Sequence, residues 1–127
     1  ANPVCMRAGI ALMDELSTDL YRQLDNLGAS AVKGLRQLFS NENVESKITH
    51  IASLFCVHFT SEEVTDYRST LKENVEKQFN LFLGLLLNDV MMAKRGIGCV
   101  SEPMTNREVD SLVNKTAQVL PYIKESS

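Results

Sequence analysis

Among the histidines and cysteines, the softer metal ligands and nucleophiles, His50, Cys56 and His58 lie closest together in the sequence. A helical zinc pair needs ligands at i and i+4, on one face. Cys56 and His58 are two positions apart and His50 and His58 eight, so the spacing predicts structural or surface histidines and no metal site. Nucleophilic catalysis needs a serine elbow or a cysteine beside a positioned base, and neither GxSxG nor CxxC occurs. Cys56 sits in an apolar run, where a thiol acts as a core filler. The paired carboxylates Asp14-Glu15 and Glu62-Glu63 suit an exposed face or a helix start, where the dipole favours negative charge. The glycine-containing turns match neither GxGxxG nor a P-loop. These patterns predict a protein that is not an enzyme and needs no cofactor.

The elements that would carry these side chains read as helices. From Ile10, apolar residues recur at Met13, Leu16, Leu20, Leu24 and Leu27 in steps of three and four, with Gly28 as a left-handed stop. Ser30 opens a short second helix carrying Val32, Leu35, Leu38 and Phe39. Asn43 caps a third, with Val44, Ile48, Ile51, Phe55 and Phe59 on one face. Thr60-Ser61-Glu62-Glu63 has capping-box spacing and starts a fourth, whose stripe is Val64, Tyr67, Leu71 and Val75. The helical pattern continues past a junction near Gln78-Phe79-Asn80 to Lys94, and Gly96 and Gly98 end it. Leu81 to Met92 is apolar all round, too short for a bilayer span, and predicts a helix surrounded by others. Thr105-Asn106-Arg107-Glu108 repeats the capping-box spacing and opens the last helix, which Pro121 kinks or ends. No strand-like alternation is read, so the expected fold class is an all-α bundle around one central hydrophobic helix.

The chain has 127 residues, a formal net charge of −3, 44% hydrophobic and 23% charged content, as expected of one folded domain over 1–127. Thirteen basic against sixteen acidic residues, with no basic cluster, argue against nucleic acid as a partner. Three widely spaced cysteines, Cys5, Cys56 and Cys99, suit a reducing compartment. No signal peptide and no transmembrane anchor are visible. Large side chains in the second to fifth segments, Phe39, Phe55, Phe59, Tyr67, Leu71, Phe79 and Phe82, leave room for an apolar groove that would take an amphipathic helix.

The order of segments resembles the Bcl-2 family of apoptosis regulators. The resemblance rests on NLFLGLLLNDVMMAKRGIGCVSEPMTNREVDSLVNKTAQVLPYI, similar to the family's central helix, Cys-Val loop and following helix, and on IALMDELSTDLYRQL at the amino-terminal helix. Of the family's NWGR-like motif only Asn80 is present, with Leu81, Phe82 and Leu83 following, and Phe39-Ser40 stands where the family has Gly-Asp.

The resemblance implies a compact, viral-type Bcl-2-like inhibitor of apoptosis that sequesters pro-apoptotic BH3-motif proteins in a groove. That groove would comprise Leu35, Leu38, Ile51, Phe55, Val64, Tyr67, Leu71, Asn80 and Phe82. It further implies a cytoplasmic location in a host cell, with mitochondria reached through partners. The alternative is a non-enzymatic helical-bundle adaptor acting through homodimerisation or surface contacts. A third reading is a carrier of an apolar small molecule beneath Leu81 to Met92.

Overall fold

The computed structural model describes residues 2–125. It is not all-α: helices α1 (Pro3–Glu15), α2 (Thr18–Asn41), α3 (Val75–Leu87) and α4 (Asn106–Lys124) accompany a three-stranded sheet. Its strands are β1 (Lys47–Ile51), β2 (Leu54–His58) and β3 (Ile97–Cys99), antiparallel and in the order β1-β2-β3. Helices α2 and α4 pack together, α3 packs on α4, and α2 covers β1 and β2.

The expected first two helices are divided elsewhere. Asn2 and Pro3 start α1, the Asn2 side chain accepting the Val4 amide at 2.9 Å. The Ser17 hydroxyl accepts the Leu20 amide at 3.2 Å and starts α2, so the break falls at Leu16-Ser17. Gly28 lies inside α2 and stops nothing. A Cβ there would stand 2.2 Å from the Ala52 carbonyl oxygen, so glycine lets the β1–β2 turn touch the helix backbone.

Helix α2 ends beyond the anticipated segment, in a Schellman motif: Val44 N donates to Phe39 O at 2.8 Å and Asn43 N to Ser40 O at 3.2 Å. Asn43 supplies the left-handed residue (φ +54°), so it closes a helix where it was expected to open one. Helix α3 ends the same way, Val90 N on Leu85 O and Asp89 N on Leu86 O, with Asp89 at φ +59°.

The predicted third helix is the β1–β2 hairpin. Its register pairs Ile48 with Val57 and His50 with Phe55, and the chain turns at Ala52-Ser53. Ile48, Thr49, Phe55 and Val57 are β-branched or aromatic, the types that fit a pleated surface. Ile48, Phe55 and Val57 face the helices and are buried. The expected fourth helix is largely irregular: 60–74 contains a 3-10 turn, Ser69–Lys72, and α3 starts only at Val75, capped by Asn74. Thr60 caps no helix; its hydroxyl takes the Glu62 amide at 3.2 Å.

Nor is the apolar run Leu81 to Met92 a central helix. It stops at Leu87; Leu81 and Leu85 are buried, while Leu83, Leu86 and Leu87 are exposed. The buried centre is instead shared by Leu27, Leu35 and Phe39 of α2, Phe55 and Val57 of β2, Leu81 and Leu85 of α3, and Val119, Leu120 and Ile123 of α4. Phe39 meets Phe59 edge to face at 5.8 Å, an arrangement that adds about 0.5–1.5 kcal/mol to simple burial. Helix α4 opens with the Thr105–Glu108 capping box read from the sequence, and Pro121 lies inside it without ending it.

Candidate functional site

Alternation along β2 sends Cys56 and His58 to the face of the sheet opposite Phe55 and Val57. On that outer face His58 Nδ1 lies 2.6 Å from Glu73 Oε1, and Nε2 lies 2.9 Å from Thr49 Oγ1 on β1. The Gln78 amide donates to Glu73 Oε2 and, at 3.4 Å, to the Val57 carbonyl. An ionised carboxylate can only accept, so Nδ1 carries the ring proton toward Glu73. His58 and Glu73 side chains are 8% and 3% exposed. No buried side-chain nitrogen or oxygen among the described residues lacks a partner.

Cys56 extends this cluster. Its Sγ donates to the Arg95 carbonyl at 3.4 Å and lies 4.0 Å from His58 Nδ1. Cysteine, histidine and glutamate lie together here, but Cys56 and Glu73 meet the same ring nitrogen, Nδ1, where a nucleophilic triad needs opposite ones, and the electrostatics oppose one as well. Burial and then the negative Glu73 push the Cys56 thiol up to about 11, against a smaller pull downward from Arg95. A thiol held protonated is a poor nucleophile. The cluster therefore ties the hairpin, Glu73 and the Arg95 turn together.

That turn is the second component. Gly96 N donates to Ala93 O at 2.9 Å, Ala93 N to Ile97 O at 2.8 Å, and Val57 N to Gly96 O at 2.9 Å. Gly96 has φ +80°, and a Cβ on it would stand 2.4 Å from the Val57 carbonyl oxygen. Lys94 Nζ lies 5.2 Å from the Phe79 ring centre, a cation–π distance, and Arg95 is exposed. Two cations thus stand on a turn hydrogen-bonded to the sheet. The outer sheet face also exposes Ile51, Leu54 and Ile97, and α1 exposes Val4, Met6, Ile10, Leu12 and Met13 while burying nothing.

The nine side chains expected to line one groove are dispersed. Leu35 and Phe55 are buried in the core and Leu38 packs against it. Ile51 faces outward from β1. Val64, Tyr67 and Leu71 lie in the irregular 60–74 segment, Tyr67 and Leu71 70% and 67% exposed. Asn80 and Phe82 are half-buried on α3, and the Asn80 amide donates to the Tyr122 carbonyl at 3.3 Å. The structure instead assembles Thr49, Cys56 and His58, expected on the third helix, with Glu73 and Gln78, expected on the next helical stretch. The run of β-branched residues Ile48, Thr49 and Ile51 was the available signal for the strand carrying Thr49.

No protein-family model matches the chain. It is 27% identical over 124 residues to glutamate-1-semialdehyde 2,1-aminomutase of Methanocaldococcus jannaschii, covering 98% of this chain and 29% of that protein. Among solved structures, an omega-transaminase from Sphaerobacter thermophilus matches with a TM-score of 0.89 at 28% identity, over 98% of this chain and 29% of that one. A transaminase with PLP bound matches with a TM-score of 0.84 at 25% identity, over 99% and 29%. The chain thus spans under a third of the proteins it matches.

These findings overturn the Bcl-2 resemblance, and the viral apoptosis inhibitor, the BH3 partners and the non-enzymatic adaptor go with it. The relatives and structural neighbours are aminotransferases and an aminomutase, which are enzymes, so the expectation of a non-enzyme is overturned as well. No helix among the described residues is long and apolar enough to cross a membrane.

Proposed function

We propose that this chain is one part of a PLP-dependent enzyme of the aminotransferase and aminomutase type, acting on amino groups together with further polypeptide. The observation that carries this reading is the fit of 98% of the chain to a transaminase at a TM-score of 0.89. Residues 1–127 are proposed to fold as one unit, which the continuous core linking α2, α3, α4 and the sheet supports. The free thiols of Cys5, Cys56 and Cys99 suit a cytoplasmic location.

The residues present do not by themselves make a holder for PLP. Such a holder needs a lysine for the Schiff base and an acidic or basic partner for the pyridine nitrogen. Every lysine here is exposed or half-buried, and Lys72 and Lys124 are already paired with Glu62 and Glu42 on the surface. The amino terminus of α4, where a phosphate could have docked, is taken by the Glu108 carboxylate in its capping box. The cofactor site is therefore assigned to polypeptide beyond this chain.

The chain's own contribution would be its uncovered face. An α1 with no buried residue and a sheet face exposing Ile51, Leu54 and Ile97 are surfaces that further polypeptide would cover. The Ala93–Ile97 turn stands on that face, held to β2 through Gly96 and Cys56, with Arg95 able to receive a substrate carboxylate in a two-pronged geometry.

The test is a chimaera in which this chain replaces the matching stretch of the Sphaerobacter thermophilus transaminase. A folded, cofactor-loaded chimaera that transfers amino groups, and an Arg95→Gln version with a raised KM for the acidic substrate, are the expected results. A folded, cofactor-loaded chimaera without turnover would reject the proposal.

A further inference from the structure

On the helix side of the sheet, at its β3 edge, a half-enclosed cleft of about 420 Å³ opens between β3, residues 89–92 and the first half of α4. Phe55, whose ring lies over Gly98, closes its floor. Three of the five methionines, Met91, Met92 and Met104, line it; unbranched thioethers adapt to apolar guests of irregular shape. The sheet separates this cleft from the outer face that carries Cys56 and His58.

The cations of its rim make no direct contact with a partner among the described residues. Arg107 and Lys115 both line the cleft, and neither side chain makes a hydrogen bond or an ion pair among the described residues. Arg107 also sits in the first turn of α4, where the helix dipole disfavours a cation. Two carboxylates share the rim. The Glu108 oxygen Oε2 is taken by the Thr105 amide and hydroxyl, each at 2.7 Å, so with Asp89 the rim carries two negative and two positive charges, and the donors of both cations stay unengaged. An apolar pocket with unengaged guanidinium and ammonium donors at its rim is an arrangement that can hold a small organic acid.

We infer that the β3-edge cleft binds a small apolar carboxylate, the hydrocarbon against Met91, Met92 and Met104 and the carboxylate between Arg107 and Lys115. This inference rests on the cleft alone and is independent of the proposed enzymatic activity.

The test is a titration of methyl-labelled methionine protein with 4-methylpentanoate, followed by NMR. Met91, Met92 and Met104 should shift saturably with a midpoint below roughly 5 mM, while Met6 and Met13 on the exposed α1 stay in place as internal controls. In an Arg107→Gln/Lys115→Gln variant with unchanged Met6 and Met13 signals the midpoint should rise at least about tenfold. Equal binding of 4-methylpentanol or 3-methylbutylamine, absence of saturation, or an unchanged midpoint in the variant would overturn the inference. So would binding of an acetylated tripeptide ending in leucine but not of the free acid, since the carboxylate would then belong to a chain terminus.

Discussion

His58 Nδ1 and Glu73 Oε1 stand 2.6 Å apart inside the protein, although fifteen residues separate them and the intervening chain is mostly irregular. The contact is therefore made by tertiary structure alone. It fixes the end of β2 to the residue that precedes the α3 cap, and through Cys56 it reaches the turn at Arg95.

Removing one partner should cost more than removing both. His58→Ala leaves the Glu73 carboxylate buried without its partner, and urea denaturation should show a loss of about 3–5 kcal/mol. A His58→Phe/Glu73→Leu double variant replaces the pair with apolar volume and should recover most of that loss. Equal destabilisation by the single and double variants would mean that the pair is not the source of the effect.

Cys56 should be the slowest thiol. With its pKa raised to about 11, alkylation at neutral pH should label exposed Cys5 and Cys99 well before Cys56, as read by peptide mass spectrometry. The same shift has a stability consequence. Between the ordinary value of 9.0 and about 11 the unfolded thiol has lost its proton while the folded one keeps it, so stability should fall as pH rises through that window. Cys56→Ser should weaken that alkaline fall.

Two glycine-to-alanine changes should have opposite signs. At Gly9, on exposed α1, an added Cβ meets nothing within 4 Å, and alanine should be neutral or raise helicity. At Gly28 the same methyl would press on the Ala52 carbonyl, a backbone atom that cannot swing aside. Gly28→Ala should lower stability by about 1–3 kcal/mol in thermal or urea unfolding.

The α4 cap should be pH-dependent. Thr105→Ala should cost about 1 kcal/mol at neutral pH. Thr105 hydrogen bonds hold the Glu108 carboxyl below its ordinary range, so their contribution is present above the unfolded value of 4.5 and lost as pH falls through the lower folded one. Thermal melts of the variant and the parent should converge on acidification.

The legible parts of this fold were the local ones. Thr105 and Glu108 are three residues apart and satisfy each other within one turn, so sequence spacing was enough to place the start of α4. Val44, Ile48, Ile51, Phe55 and Phe59 also recur in steps of three and four, yet Ile48, Ile51 and Phe55 belong to a hairpin that Val44 and Phe59 flank. Its two-residue turn lacks Gly, Asn and Asp, so no turn signal interrupted the apparent stripe. Ala52 reaches φ +51° only because the approach of α2 at Gly28 and the His50 ring, whose Nε2 bonds the Ala52 carbonyl at 2.7 Å, hold it there. The outer-face cluster was illegible for a related reason. Once Thr49, Cys56 and His58 were read onto a helix, nothing in the spacing brought Glu73 and Gln78 to them. The apolar character of Leu83, Leu86 and Leu87, read as deep burial, is exposed in the folded chain.

The seat of the Ala52 carbonyl against Gly28 also polices strand alignment. Sliding β1 along β2 by two positions would preserve which side chains face inward, so alternation alone does not forbid it. Such a slip would move the hairpin apex off Gly28, the glycine of α2 against which the Ala52 carbonyl is seated. The helix thereby acts as a template that proofreads the pairing of two strands to which it does not belong.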